Sequence, residues 1–121
     1  MTHYIGTDII EIARIRQAID RWGERFLRRI YTEQELKLYG HRPQSLAVRF
    51  AGKEAVMKLL GAKDKGMSWQ DIETLTYPDG RPMLKLYGRA QSEASNLGIK
   101  EIVISLAHSR DYAMAAAIGT T

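Results

Sequence analysis

With 121 residues, 18 lysines and arginines against 14 aspartates and glutamates, the chain suits one domain over residues 1–121 with a modest hydrophobic core. The absence of cysteine excludes disulfides, thiolate metal sites and cysteine nucleophiles, and it suits a reducing compartment. No signal-peptide pattern and no run of 18 apolar residues occurs, so we expect a cytoplasmic protein.

The first quarter of the chain combines a strand with a strongly basic helical segment. Tyr4 to Ile12 is rich in β-branched residues and predicts a strand, with Asp8 where the strand passes into the first helix. Residues 12–29 predict a helix that Gly23 is placed to interrupt. Six arginines against two carboxylates lie between positions 14 and 29, an excess equal to the net charge of +4 of the whole chain. Helical spacing puts four of them on one face: Arg14, Arg21, Arg25 and Arg28.

Capping residues mark the next two helices. Thr32 to Glu35 forms a capping box before a short helix that ends near Gly40. Pro43 to Leu60 predicts a long helix, and Gly61 is its C-terminal stop.

The second half of the chain predicts two hairpins and one helix. The strands are Asp71 to Tyr77, Met83 to Tyr87, Glu101 to Ala107 and Tyr112 to Ile118. Pro78 to Pro82 is a turn-rich hairpin loop, and Arg89 to Leu97 predicts a helix closed by Gly98. We therefore predict an α+β fold in which an antiparallel sheet packs on the long central helix.

The long helix is the most informative segment. Ten of the fifteen residues from Leu46 to Leu60 are apolar and four are charged, and the apolar side chains surround almost the whole helix. Such a helix is normally buried, so its charges must be paired or must meet a compensating group. A polyanionic ligand that carries a metal would satisfy all four charges: Arg49, Lys53, Glu54 and Lys58.

Asp8 and Glu54 are the candidate metal ligands. Mg²⁺ prefers hard oxygen ligands and uses only one or two carboxylates together with water and substrate phosphates. Arg49, Lys53 and Lys58 are candidates to bind those phosphates. The alternative is structural: Glu54 pairs with Lys58 along the helix, Asp8 caps the next helix, and the cations are solvated.

Three further features have both a functional and a structural interpretation. His108 ends a predicted strand and either contacts a phosphate, acts in acid–base catalysis, or is a structural residue. The loop Asp79 to Pro82 either lies against a nucleotide base or only connects two strands. The arginine face either docks an acidic partner, for which arginine is well suited, or is a solvated helix face.

Together these residues resemble one family over essentially the whole chain, the holo-[acyl-carrier-protein] synthases, which are the small class of 4′-phosphopantetheinyl transferases. The most specific motifs are Ile5 to Ile9 followed by Glu11 and Arg14, and Arg49 to Ala55 followed by Lys58. Supporting motifs are Trp69 to Glu73, Gly80 to Pro82, and Ser105 to Ser109 with Tyr112 and Ala113. Two departures are Ala107, where many members have Ser or Thr, and the segment from Gly61 to Gly66, which is often Gly-Thr-Gly-like.

The resemblance implies transfer of the 4′-phosphopantetheine arm of coenzyme A to a serine of an apo acyl carrier protein, with release of 3′,5′-ADP, in support of fatty acid biosynthesis. It implies that Asp8 and Glu54 hold Mg²⁺, with Mn²⁺ as an alternative, and that Lys58 contacts the phosphates. It also implies a homotrimer with coenzyme A in the clefts between subunits. Residues near the coenzyme would include Gly61, Gly80, Arg81, Pro82 and His108, and the carrier would dock on Arg14, Arg21, Arg25 and Arg28. Either a metal-bound water or a nearby carboxylate takes the serine proton.

Two competing functions use the same residues differently. A small basic RNA-binding module would place the arginines on phosphates, and its affinity would fall steeply with salt. A metal-dependent hydrolase of nucleotide diphosphates would cleave coenzyme A without a carrier protein. Because the strands offer no pair of stacking aromatics and the Lys53-Glu54 motif would be unexplained, we expect no nucleic-acid partner, and we expect no membrane partner.

Overall fold

The structure is a computed structural model that describes residues 1–61 and 66–121. In chain order its elements are β1 (His3–Glu11), α1 (Ile12–Trp22), α2 (Glu24–Ile30), α3 (Glu33–Tyr39), α4 (Pro43–Leu60), a 3₁₀ turn (Trp69–Asp71), β2 (Ile72–Thr76), β3 (Pro82–Leu86), α5 (Gly88–Asn96), β4 (Glu101–His108) and β5 (Tyr112–Thr120). The predicted α+β class is confirmed, and the predicted bounds of the helices and strands lie within two residues of the observed ones. The 3₁₀ turn was not predicted.

The strands form two antiparallel sheets instead of one. The larger sheet has the order β1-β5-β4, and β2 pairs with β3 in a separate hairpin. α4 packs on one face of the larger sheet, where β5 presents only small buried side chains, Ala113, Ala115 and Ala117. On β1, a Cβ atom at Gly6 would overlap the carbonyl oxygen of Ala55. Because Gly6 has no Cβ atom, β1 and α4 can lie close together at this point. Side chains that follow Gly6 on the same face of β1 can therefore contact the helix.

α4 is buried on most of its circumference, as its composition predicts. It begins with Pro43 in its first turn and ends at Gly61, which adopts a left-handed conformation with φ of 63°. Ala55, Val56 and Leu59 belong to the hydrophobic cluster on one side of the helix, and Leu46 belongs to the cluster on the other. Among residues 1–61 and 66–121, no helix combines the length and the apolar character that crossing a bilayer requires.

The basic segment is divided into two helices. Gly23 has φ of 54° and separates α1 from α2, a conformation that glycine adopts without the strain of a Cβ atom. Arg14 and Arg21 consequently lie on α1, whereas Arg25 and Arg28 lie on α2, and all four are exposed. The predicted interruption at Gly23 is confirmed, so the arginines form a surface across two helices instead of a single helical face.

Candidate active site

Asp8 lies inside β1 and not at the junction with α1. Glu11 occupies the N-cap of α1, and its side chain makes no capping hydrogen bond. The structural alternative for Asp8, a helix cap, is therefore wrong. Because side chains alternate along a strand, Asp8 shares the face of Gly6 and points towards α4. Its side chain is only 15% exposed.

Lys58 of α4 joins this strand to the helix. Its Nζ atom lies 3.1 Å from Asp8 Oδ1 and donates to the carbonyl oxygen of Thr7 at 3.0 Å. These two contacts use two of the three N–H donors of an ammonium group. The side chain is 55% exposed, so the cation lies at the rim of the site, where an anion from solution can reach it.

Glu54 completes the group one helical turn before Lys58. Partial burial raises the pKa of Glu54, the negative charge of Asp8 raises it further, and Lys58 opposes the shift. The negative charge of Asp8 is therefore close enough to disfavour the ionised form of Glu54. Among the described residues, two carboxylates against one lysine give this site a local surplus of negative charge, which favours a bound cation.

The donor set matches a hard divalent cation that shares its coordination with a substrate. In the described parts of the chain, no group of three or more histidine, aspartate or glutamate side chains is arranged to hold a metal ion. That excludes, for those residues, a closed site made only of such protein ligands, as structural zinc requires. A carboxylate pair such as Asp8 and Glu54 is what Mg²⁺ uses when water and phosphate oxygens supply the remaining ligands.

Lys53 does not belong to this site, and the prediction that it binds phosphate is wrong. Its side chain is fully buried, and Nζ lies 2.8 Å from Glu35 Oε1. Nζ also donates to the carbonyl oxygens of Trp69, at 3.2 Å, and Ile72. Burial lowers the pKa of Lys53, and the carboxylate of Glu35 opposes that shift. All three donors of the ammonium are thus used inside the protein.

Arg49 is likewise committed to the interior, which corrects its predicted role as a phosphate ligand. Its Nε donates to the carbonyl oxygen of Thr74 at 3.0 Å, and its Nη2 donates to Thr76 Oγ1 at 3.2 Å. The guanidinium lies over the ring of Tyr39, 3.3 Å from the centroid. Only 6% of Arg49 is exposed, so this residue fixes β2 and α3 against α4.

A buried polar network around Glu35 was missed by sequence reasoning. Glu35 closes the predicted capping box with Thr32, and its second oxygen accepts the backbone N–H of Thr74 at 2.9 Å. Thr32 Oγ1 donates to Glu73 at 2.6 Å, and the hydroxyl of Tyr87 donates to the other oxygen of Glu73 at 2.9 Å. The capping box was the only sequence signal, because the remaining partners come from distant parts of the chain, such as Thr74 at 39 residues from Glu35 and Glu73 at 41 residues from Thr32.

The residues predicted near the nucleotide lie apart from the carboxylate pair. Gly80 forms the turn with φ of 92°, and Arg81 pairs with Asp79 at 2.8 Å. Arg81 and Pro82 border a groove of about 640 Å³ against β4. Asp8 is on β1, two strands away from β4 in the sheet, which is about 10 Å at the usual strand spacing. Within one chain, β5 therefore lies between the strand that carries Asp8 and the strand that borders this groove.

His108 and Gly61 lie at the ends of their elements. His108 is exposed at the end of β4, with Nδ1 3.3 Å from the carbonyl oxygen of Ser109. It shares the sheet face of Asp8, because His108 pairs with Ala113 and Ala113 pairs with Ile10. Gly61 follows Lys58 closely, and its N–H donates to the carbonyl oxygen of Lys58.

The segment that follows Gly61 departs from the family pattern noted above. Residues 62–65 of that segment lie outside the described residues.

The chain matches one known protein family over most of its length. A family model described as the 4′-phosphopantetheinyl transferase superfamily matches residues 4–117. The match over nearly the whole chain places this chain in the phosphopantetheinyl transferase superfamily.

Relatives within that class share one activity. A holo-[acyl-carrier-protein] synthase of Dehalococcoides mccartyi is 56% identical over 112 residues, which cover 93% of this chain and 93% of that protein. The crystal structure of Helicobacter pylori holo-[acyl-carrier-protein] synthase in complex with coenzyme A has a TM-score of 0.86 at 30% identity, covering 96% of this chain and 99% of that chain. A Bacillus anthracis holo-(acyl-carrier-protein) synthase in complex with coenzyme A (3′,5′-ADP) has a TM-score of 0.78 at 30% identity, covering 96% and 94%.

The chain therefore belongs to the holo-[acyl-carrier-protein] synthase family and is an enzyme of the phosphopantetheinyl transferase class.

Proposed function

We propose that this enzyme transfers the 4′-phosphopantetheine arm of coenzyme A to a serine of an apo acyl carrier protein in a Mg²⁺-dependent reaction. The serine oxygen forms a bond to the phosphorus that carries the pantetheine, and the bond from that phosphorus to the 3′,5′-ADP oxygen breaks. The serine proton would pass to a metal-bound water or to a nearby carboxylate. The observation that carries this proposal is the juxtaposition of Asp8, Glu54 and Lys58 at the contact between β1 and α4.

Each residue of that group has a separate task. Asp8 and Glu54 would hold Mg²⁺ or Mn²⁺, and the bound metal would supply neutralisation of the charge on the pyrophosphate and on the leaving group. Lys58 is exposed enough to bind a phosphate oxygen while it remains tied to Asp8 and to the backbone of Thr7. Lys53 and Arg49 have no part in this proposal.

We also propose that the enzyme works as a homotrimer, with coenzyme A in the clefts between subunits. The support is the exposed face of the larger sheet, on which apolar side chains lie next to each other across the three strands. Ile5, Ile118 and Val103 form one such row, because Ile118 pairs with both of the others. Ile5 is 67% exposed and Val103 is 52% exposed, and a continuous apolar patch of this kind is typical of an interface. A neighbouring subunit would bring the hairpin of Gly80, Arg81 and Pro82, together with His108, to the carboxylate pair.

Ile118→Asp should convert the assembly into single chains. Ile118 is the central residue of its apolar row and 44% exposed, so a carboxylate there would be buried without a partner in an interface. Light scattering after gel filtration measures the mass. Leu38→Asp, at a 40% exposed position of α3, is the control that should keep the mass of the wild type. An Ile118→Asp protein with an unchanged oligomeric mass would overturn the proposed interface.

The arginine surface is the proposed docking site for the carrier protein. Arg14, Arg21, Arg25 and Arg28 are exposed on α1 and α2, and they concentrate the positive charge of the chain. An acidic helix of the carrier would be steered there. One of these arginines, Arg28, is paired with Glu24 at 2.9 Å, so carrier carboxylates would replace an existing exposed ion pair.

Arg14→Glu should raise the KM for the carrier protein about tenfold while the KM for coenzyme A remains unchanged, because the charge reversal acts on steering and docking alone. Steady-state kinetics with each substrate varied in turn measures the two constants, and the effect should shrink with added salt. Lys37→Glu, at an exposed position of α3, is the charge-matched control. Equal loss for both substrates would contradict the separation of the two surfaces.

Fatty acid biosynthesis is the proposed context, and the cytoplasm is the proposed location. The cysteine-free composition supports the second proposal, because it suits a reducing compartment.

Carrier-dependent release of 3′,5′-ADP tests the proposed reaction against its rivals. The enzyme is incubated with coenzyme A and Mg²⁺, with and without an apo carrier protein, and the nucleotide is separated by chromatography. We expect release only when the carrier is present, and its loss when a chelator removes Mg²⁺. Release without the carrier would instead identify a hydrolase. No release with any of several carriers, together with salt-sensitive RNA binding, would favour the RNA-binding alternative.

A further inference from the structure

Gln70 connects α2 to the 3₁₀ turn before β2. The proposed reaction requires these two parts of the molecule to keep a fixed relative position. Gln70 lies in the 3₁₀ turn Trp69–Asp71 and is exposed. Its Nε2 donates to the carbonyl oxygen of Arg28 and, at 3.0 Å, to that of Tyr31. Both carbonyls lie at the C-terminal end of α2, where a helix leaves its last carbonyl groups without intrahelical partners. Gln70 therefore caps α2 from outside the helix.

The other side of the same segment is fixed to α4. Lys53 donates to the carbonyl oxygens of Trp69, the first residue of the turn, and Ile72, the residue that follows it. The ring of Trp69 stacks on that of Phe50 with centroids 5.0 Å apart. Since Lys53 directly precedes Glu54, the turn is anchored on the helix that carries one of the two carboxylates.

α2 depends on such outside contacts for its position. It has seven residues, Glu24–Ile30, of which only Ile30 is fully buried. A helix this short has little stability of its own in water. Beyond Ile30, the hydroxyl of Tyr31 donates to the carbonyl oxygen of Leu46 at 2.7 Å. The two hydrogen bonds of Gln70 and this one hold the end of α2 against the rest of the protein.

We infer that Gln70 is a positioning residue for carrier-protein recognition. It fixes α2, and with it Arg25 and Arg28, at a set distance from the helix that bears Glu54. In this position both arginines meet the acidic helix of the carrier together, which strengthens carrier binding. This inference rests on the proposed function, because it assigns α2 to carrier docking.

Gln70→Met tests the inference, because methionine keeps the length of the side chain and removes both donors. Gln91→Met, at an exposed glutamine of α5, is the matched control. We expect Gln70→Met to raise the KM for the carrier about tenfold, consistent with the loss of two hydrogen bonds. The KM for coenzyme A and the kcat at saturating carrier should stay within about twofold of the wild type. A purely structural role would change all three constants or none.

Hydrogen exchange separates the inference from the proposed function. The backbone amides of residues 24–31 should exchange faster in Gln70→Met than in the wild type and in Gln91→Met, because the end of α2 is released. Unchanged exchange would overturn the capping role, whatever the enzyme does. Faster exchange with an unchanged carrier KM would overturn the positioning role. A wild-type protein that transfers nothing to a carrier would instead show that the proposed function has failed.

Discussion

Glu54→Gln is expected to reduce transfer about a thousandfold or more, while the protein stays folded. Glutamine has nearly the same shape as glutamate but supplies no negative charge. The pair with Asp8 therefore loses one of its two negatively charged ligands for a divalent cation. The rate of phosphopantetheine transfer at saturating substrates measures the effect. Glu33→Gln, at an exposed carboxylate of α3, is the matched control and should transfer at the wild-type rate.

The same substitution should stabilise the metal-free protein at neutral pH. Burial and the charge of Asp8 raise the pKa of Glu54 in the folded state, so the folded protein holds this proton more tightly than the unfolded chain does. Stability from this group is thus fully present below the pKa of the unfolded chain and is lost as pH rises through the folded pKa. Glutamine does not ionise, so the Glu54→Gln protein avoids that loss of stability.

Thermal unfolding in a chelator measures this second effect. Tm of Glu54→Gln should exceed that of the wild type at pH 7, and the difference should disappear in acid. A mutant that is both inactive and less stable at pH 7 would instead place Glu54 in the structural framework.

Lys53→Met and Lys58→Met should have opposite effects, although the two lysines lie five residues apart on the same helix. Lys53→Met leaves the carboxylate of Glu35 buried without its cation, and breaking a buried pair in this way costs about 3–5 kcal/mol of the free energy of unfolding. The KM for coenzyme A of the protein that still folds should not change. Lys58→Met removes a largely exposed side chain, so it should reduce activity with little loss of stability.

Urea denaturation and steady-state kinetics measure the two effects. Where Lys53→Met does not fold, the double variant Lys53→Met with Glu35→Gln provides the test. It removes the buried negative charge as well, and it should recover part of the lost stability. A stable Lys53→Met protein whose KM for coenzyme A has risen would show that Lys53 does bind phosphate.

The framework of the fold could be predicted because its signals are local. Pro43 and Gly61 mark the two ends of α4, the capping box at Thr32 marks the start of α3, and Gly23 marks the break in the basic segment. Each of these acts through the conformation of its own few residues. The residue pattern that predicts the strands is also a local signal.

The assignment of charges on α4 could not be predicted, because it depends on distant partners. A helix that is apolar on nearly all sides gives no indication of which of its lysines faces the interior. Lys53 is buried because Glu35 comes from eighteen residues earlier in the chain and the carbonyl of Ile72 comes from nineteen residues later. Lys58 is left at the rim because Gly6 brings β1 close enough for Asp8 to meet it.

Mass spectrometry of an apo acyl carrier protein tests the central claim most directly. The carrier is incubated with coenzyme A, Mg²⁺ and either the wild-type enzyme or the Glu54→Gln variant. We predict that the carrier gains the mass of one phosphopantetheine with the wild type, and that the gain is lost with the variant or with a carrier whose acceptor serine is replaced by alanine. No mass gain across several carriers with the wild type, or an equal gain with Glu54→Gln, would contradict the account.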